Sequence, residues 1–211
     1  MGLFSDLLSE VLPDVPDCLN IVMEKAIRDA AIKFCEETHI WEVDLPTISL
    51  LADTAEYALA PPTNQQIIKL TQVIMNGRMI EPTSIVNLDS RSTTWRALIG
   101  TQPTNWLMVN PVTLRAYPIP SVDGAITAKA IVKPSRTATG IDDFISNDYY
   151  LAIAAGAKAL LCAMPHKAWT ALELVSYYQS IFNEGVNRAK LYKNSGFASA
   201  DLPNQTQYLG A

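Results

Sequence analysis

The stretch from Tyr149 to Gly196 constrains the fold of this 211-residue chain more than any other. Its middle, Ala163-Met164-Pro165-His166-Lys167-Ala168-Trp169-Thr170, is a sharp corner between two helical patterns, because Pro165 has no backbone donor to continue the first. The second pattern marks its own start. Thr170 and Glu173 stand three apart, the spacing of a capping box, and Trp169 and Leu174 flank them as a hydrophobic staple. We therefore expect a helix from Thr170. Leu174, Tyr178, Ile181, Gly185, Ala189 and Tyr192 form its continuous face, with Phe182 on the same helix. Arg188, Lys190 and Lys193 suit the negative end of the helix dipole, and Gly196 can close it in the left-handed conformation.

The preceding helix, 148–164, is rich in small residues: Ala152, Ala154, Ala155, Gly156, Ala157 and Ala159. Small side chains let a neighbouring helix approach closely, so this segment belongs at the centre of a bundle. The missing partner lies near the other end of the chain. Over 17–38, Leu19, Val22, Met23, Ala26, Ile27, Ala30, Ala31, Phe34 and Cys35 make an apolar face opposite a charged one, and Asp17 stands where a cap would. Burying six of the larger side chains contributes about 10 kcal/mol before chain entropy is subtracted. That is enough to bring two distant parts of the sequence together.

Between these helices the chain reads as β. Trp41-Glu42-Val43-Asp44-Leu45 alternates with period two. Glu56 to Leu59 is a short strand stopped by Pro61-Pro62, and Ile67 to Met75 a longer one. Asn76-Gly77 is a strong hairpin signal, with Arg78-Met79-Ile80 returning. Residues 81–105 lack periodicity and read as a long loop with at most one helical turn, a possible contact surface. Strands follow at 106–109 and 112–117, parted by Asn110-Pro111. A turn at Asp123-Gly124 leads to a last strand with Ile126, Ala128, Ala130 and Val132 on one face, and 137–146 is a linker. Residues 1–16 read as a loose or short-helical lead.

The fold class expected is α+β. An N-terminal lead and first helix (1–39) and a C-terminal helical hairpin (136–196) form a bundle around an inserted, mainly antiparallel β sub-domain (40–135). An extended arm (197–211) follows, polar and too short to fold alone. Phe197, Leu202, Tyr208 and Leu209 are spaced as anchors on a partner, while an unstructured terminus is the plainer reading.

Composition narrows the function. With 49% hydrophobic and 18% charged residues the chain is of globular type, and no apolar run reaches the ~18–20 residues that span a bilayer. Its start lacks the basic and apolar segments of a secretory signal, so synthesis in a cytosol is expected. The net charge of −5 lies in residues 1–39, where eight acids face three bases, while the remainder balances. Such a chain does not grip nucleic acid by neutralising phosphates, although it could surround DNA.

Chemistry-bearing motifs are few. The sequence has no phosphate-binding loop, dinucleotide turn, nucleophile elbow or HExxH, and only His39 and His166 as histidines, so no catalytic set is expected. Glu36-Glu37 and Asp142-Asp143 read as solvated or capping charge. The sharpest chemical alternative is zinc held by Cys35 with His39 and Cys162 with His166, each four apart. Pro165 interrupts the second pair, and buried packing explains free cysteines equally well. No cofactor or metal is expected. Trp41, Trp106 and Trp169 lack the interleaved cations of a base-stacking platform and read as anchors of the core.

The ordered set of segments resembles the head-tail connector, or adaptor, proteins of tailed bacteriophages, the tail-tubular-protein-A-like family. Ala26 to Thr38 with Trp41 resembles the family's first helix and strand entry. Ala55 to Leu59 with Val73 to Arg78 resembles its first hairpin region, and Leu114-Arg115-Ala116-Tyr117-Pro118 its later strand. Ala154 to Leu161, Met164 to Trp169, Tyr177-Tyr178, Phe182 and Ala189 resemble the helical hairpin. The likeness covers most of 18–196, while 81–105 and the tail depart from the pattern. It implies a structural virion protein at the neck, made in the host cytoplasm. Copies of it form a ring, usually dodecameric, under the portal protein. The ring would extend the DNA channel without sequence-specific binding and dock the next tail or nozzle protein, with no membrane contact. The resemblance also assigns Phe197 to Ala211 as the arm that reaches the portal. The alternatives are another neck or tail-completion protein of the same fold and, more remotely, a zinc-dependent enzyme.

Overall fold

A computed structural model describes residues 1–196. The fold is mixed α+β. Its helices are α1 (Leu8–Val11), α2 (Asn20–Thr38), α3 (Ile85–Arg91), α4 (Asp143–Asp148), α5 (Tyr150–Cys162) and α6 (Leu172–Asn194). Its strands are β1 (Gly2–Leu3), β2 (Glu42–Asp44), β3 (Ile48–Leu50), β4 (Glu56–Ala58), β5 (Gln65–Met75), β6 (Arg78–Met79), β7 (Glu81–Pro82), β8 (Ile99–Gly100), β9 (Asn105–Asn110), β10 (Thr113–Tyr117), β11 (Ile119–Pro120), β12 (Gly124–Pro134) and β13 (Gly140–Ile141).

The principal sheet has the order β2-β12-β5-β6, with β3 also pairing β12, and every pairing in it is antiparallel. Its spine is the β5–β12 ladder. Alternation on β12 puts Ile126, Ala128, Ala130 and Val132 inward, as the sequence predicts. The hairpin at Asn76-Gly77 has both residues at positive φ, 51° and 76°, which this turn requires. Asn76 also accepts from the backbone of Ala125 at 3.0 Å, and a Cβ at Gly124 would stand 1.7 Å from its Oδ1. The chain therefore bends at Ser121–Val122, and Gly124 opens β12 instead of forming the expected turn. A second sheet, β4-β10-β9-β7, is antiparallel except for the β7–β9 pair.

Helix α2 lies on β12, and α5 packs on both α2 and α6. The small residues of α5 have the role their size implies. A Cβ at Gly156 would lie 2.6 Å from the Phe182 ring and 3.1 Å from Ala30, so that glycine sets how closely the three helices approach. Gly185 does the same for α6 against Ala152, at 2.3 Å. Phe34 contacts Tyr149 at 5.1 Å and Phe182 at 6.3 Å between ring centroids, which joins α2, the start of α5 and α6 in one aromatic cluster.

The lead takes the short-helical form of the two expected, with single turns over 4–14, and it is packed: Phe4, Leu7, Val11 and Val15 are buried in the main core and Asp14 pairs with Lys158 of α5 at 2.5 Å. Two local expectations change. Asp17 does not cap α2. It takes φ 64° in the turn before the helix, and Leu19 is the N-cap. The linker 137–146 contains β13, paired with β1, and the start of α4, which Asp142 caps by accepting from Phe144 at 3.0 Å.

Candidate interaction surface

Thr170 stands in the corner between α5 and α6, where the capping box was expected, but it caps no helix. Helix α6 begins at Leu172 with Ala171 as N-cap and no side-chain cap bond. The Thr170 hydroxyl instead donates to the Met164 carbonyl at 2.6 Å and accepts from the Lys167 amide at 2.9 Å. It closes the corner on itself, which competes directly with capping. Ala171 donates to the Cys162 carbonyl at 3.1 Å and ties the corner to the end of α5. Trp169 is partly buried against the core, whereas Leu174 and Glu173 are exposed, so no staple forms. At the other end Gly196 takes φ 65°, as expected.

The buried face of α6 is Tyr178, Phe182, Gly185, Val186 and Ala189. Tyr192, expected on it, is exposed, and Ile181 is half-buried. The helix axis is thus rotated so that Phe182 occupies the centre. Tyr178 lies beside Asp14 and under Lys158, with Lys158 Nζ 5.5 Å from the ring. Burial, and then the Asp14 carboxylate, push its phenol up to about 12.

The outer surface of α6 is mixed: Leu191 (71% exposed), Leu172 (67%) and Tyr177 (59%) stand in water among exposed Glu173, Ser176, Ser180, Glu184 and Asn187, and Leu151 of α5 is 56% exposed. A groove runs between α5 and α6. One part, about 390 Å³, is lined by Phe144, Asp148, Tyr149, Arg188 and Tyr192. Through Arg188 it continues to Leu151, Ile181 and Glu184, and through Phe144 to Trp41, Lys193 and Gly196. Arg188 fixes its shape by donating to the Asp148 carbonyl at 3.1 Å and lying 5.6 Å from the Tyr149 ring. Lys193 donates to the His39 carbonyl at the C-terminus of α2, where a cation is favoured. Desolvation, and then the charges of Lys69, Lys193 and Lys190, hold the His39 imidazole below its usual range.

Cys35 and Cys162 are fully buried, and burial raises both thiol pKa values, which disfavours the thiolate a metal would need. Among the described residues no three His, Cys, Asp or Glu side chains lie where they could hold one metal ion. Phe197, Leu202, Tyr208 and Leu209 lie outside the described residues.

The 81–105 segment, expected to be a long loop and a contact surface, has a core of its own. Residues 81–105 contain α3 and two short strands around a small core of Leu88, Trp95 and Leu107, with Tyr117 packed on it. The Trp95 indole donates to Asp89 at 2.7 Å, and Arg96 pairs with the same carboxylate at 2.7 Å. These two bonds hold the Asp89 pKa below its ordinary value. The Arg96 and Arg115 guanidiniums lie 4.5 and 5.2 Å from the Trp95 ring. Ile85, Val86, Leu98 and Ile99 are exposed around it. Elements this short show no period. No protein-family model and no curated protein sequence matches the chain.

Proposed function

We propose that this chain is a structural subunit of a tailed-phage neck: a head-tail connector that forms a ring, dodecameric in the family it resembles, beneath the portal. In this reading α2, α5 and α6 are the bundle that packs between subunits, and 40–135 is an inserted β sub-domain. Residues 197–211 are the arm that meets the portal, and the ring's other side receives the next tail protein. DNA passes through the channel without sequence-specific contact, and no catalysis is assigned.

The observation that carries the reading is the groove between α5 and α6, where Leu151, Ile181 and Tyr192 line an uncovered surface beside Arg188. Leu151 and Tyr192 are more than half exposed there, and Tyr177 and Leu191 stand in water further along α6. Burying such side chains contributes roughly 1.5–3 kcal/mol each, so a neighbour that covers them gains much of an interface. Repeating a heterologous contact of this kind with a closing rotation makes a ring. Removal of residues 194–211 tests the arm. The truncated chain should keep its circular dichroism and thermal transition but no longer co-purify with the portal protein, and unaltered portal binding would refute the arm's role.

A further inference from the structure

Among the described residues the principal sheet ends on two largely unpaired edges. Strand β5 pairs along its length with β12, but on its other side β6 covers Ile74 and Met75, and the Ile80 amide donates to the Val73 carbonyl at 3.0 Å. Among the described residues no strand pairs with 65–72 from that side, and at the opposite edge β2 pairs with β12 alone. A strand edge presents alternate peptide groups outward, and one left open is a template for another strand. Neither edge carries a proline within β2 or β5 that would block pairing.

The two edges are complementary. Ile131 of β12 lies opposite Glu42 on one side and Lys69 on the other, so Glu42, Ile131 and Lys69 form one row across the sheet. Lys69 is the sole charged residue of β5, and β2 carries only the acids Glu42 and Asp44. Both Lys69 and Glu42 are exposed. Glu42 accepts from Thr71, and Asp44 lies 3.7 Å from Lys129, so the acidic edge keeps partners within the subunit. Lys69 and Lys193 repel one another, which contributes to lowering the pKa of Lys193, and a further carboxylate beside Lys69 would relieve that repulsion. Because β2 and β5 are both antiparallel to β12, they run in the same direction.

We propose that the β5 edge of one copy pairs in parallel with the β2 edge of the next, with Lys69 beside the neighbour's Glu42, so that one sheet continues from subunit to subunit. This inference rests on the ring reading and names a contact within it. A second copy is the occupant because the same sheet supplies both halves of the join, with opposite charges in one row and matching strand direction. Opposite charges on adjacent strands stabilise the pairing, and like charges oppose it. The groove beside α5 and α6 reaches Glu42 and Val43 of β2, so a neighbour paired on this edge also meets the groove.

Cysteine cross-linking of the full chain tests the proposal. Within a subunit residues 42 and 69 sit two strands apart, about 9–10 Å, too far for a disulfide. The variant Glu42→Cys/Lys69→Cys should therefore link only between copies. Oxidised rings should give a ladder of multimers on a non-reducing gel, and neither single variant should. As a second arm, Lys69→Glu should weaken assembly about fivefold per interface. Combining it with Glu42→Lys should restore assembly. Rings seen by native mass spectrometry whose subunits stay unlinked, with no rescue by the double reversal, overturn the sheet pairing and leave the ring reading standing. A chain that stays monomeric with and without portal protein, and unlinked, overturns both.

Discussion

The helical layer and the 81–105 segment are held together by different forces. Around Phe182, α2, α5 and α6 interlock through Gly156 and Gly185, where an added Cβ would overlap Phe182 or Ala152. Around Trp95 the apolar core is three residues, and an ion pair, an indole hydrogen bond and two guanidiniums over the ring complete it. The first region depends on shape and burial, which act on the whole fold. The second depends on local polar contacts, which can fail without unfolding the rest.

Phe182→Ala should show the largest effect. It empties the junction of three helices and should cost about 3–5 kcal/mol, read as a lower denaturation midpoint with unchanged slope. Gly185→Ala comes next. Its new Cβ would overlap Ala152, and overpacking of this kind costs about 1–3 kcal/mol. Trp95→Ala removes a side chain as large as Phe182 but should act locally. Amide exchange should quicken over 85–98 while the main transition shifts less than in Phe182→Ala. A main transition lowered as far as by Phe182→Ala would erase the distinction between the regions.

Titration gives the smallest effects. The Tyr178 phenol is raised in the fold, so the folded protein holds that proton more tightly than the unfolded chain. Stability from this group is full below pH 10 and declines as pH rises toward about 12. Tyr178→Phe should flatten that alkaline decline in thermal melts. The His39 imidazole is lowered, so its contribution runs the other way and is lost as pH falls below about 6.5.

The same contrast explains what was legible in the sequence. Helix α6 announced itself by a period sustained over many turns, and α2 by two opposed faces; both stand where periodicity placed them. Their starts did not. Thr170 had a choice between the amides of the helix and the carbonyl of Met164, and spacing cannot weigh a tertiary corner against a cap. Asp17 likewise lost the cap to Leu19 because the chain turns at positive φ there. The lead was legible as loose or short-helical but its burial was not, because Phe4, Leu7, Val11 and Val15 are too few to show a period. They are buried only because the rest of the core receives them. The 81–105 core was hidden for a related reason: each of its elements is too short to repeat, and Leu107 comes from the following strand. The exposure of Tyr192 and Leu174 was not legible, since the period assigned both to the inner face and the observed rotation about Phe182 turns them outward.

The central claim is that this chain is a ring subunit of the neck, and a cryo-electron microscopy map of the purified particle's neck tests it most directly. The account predicts that the structure fits the layer immediately below the portal as a closed ring. Its α5–α6 groove should be covered by a neighbour, and residues 197–211 should lie against the portal. Density in that layer that belongs to a different protein, with this chain elsewhere or missing from the particle, would contradict it.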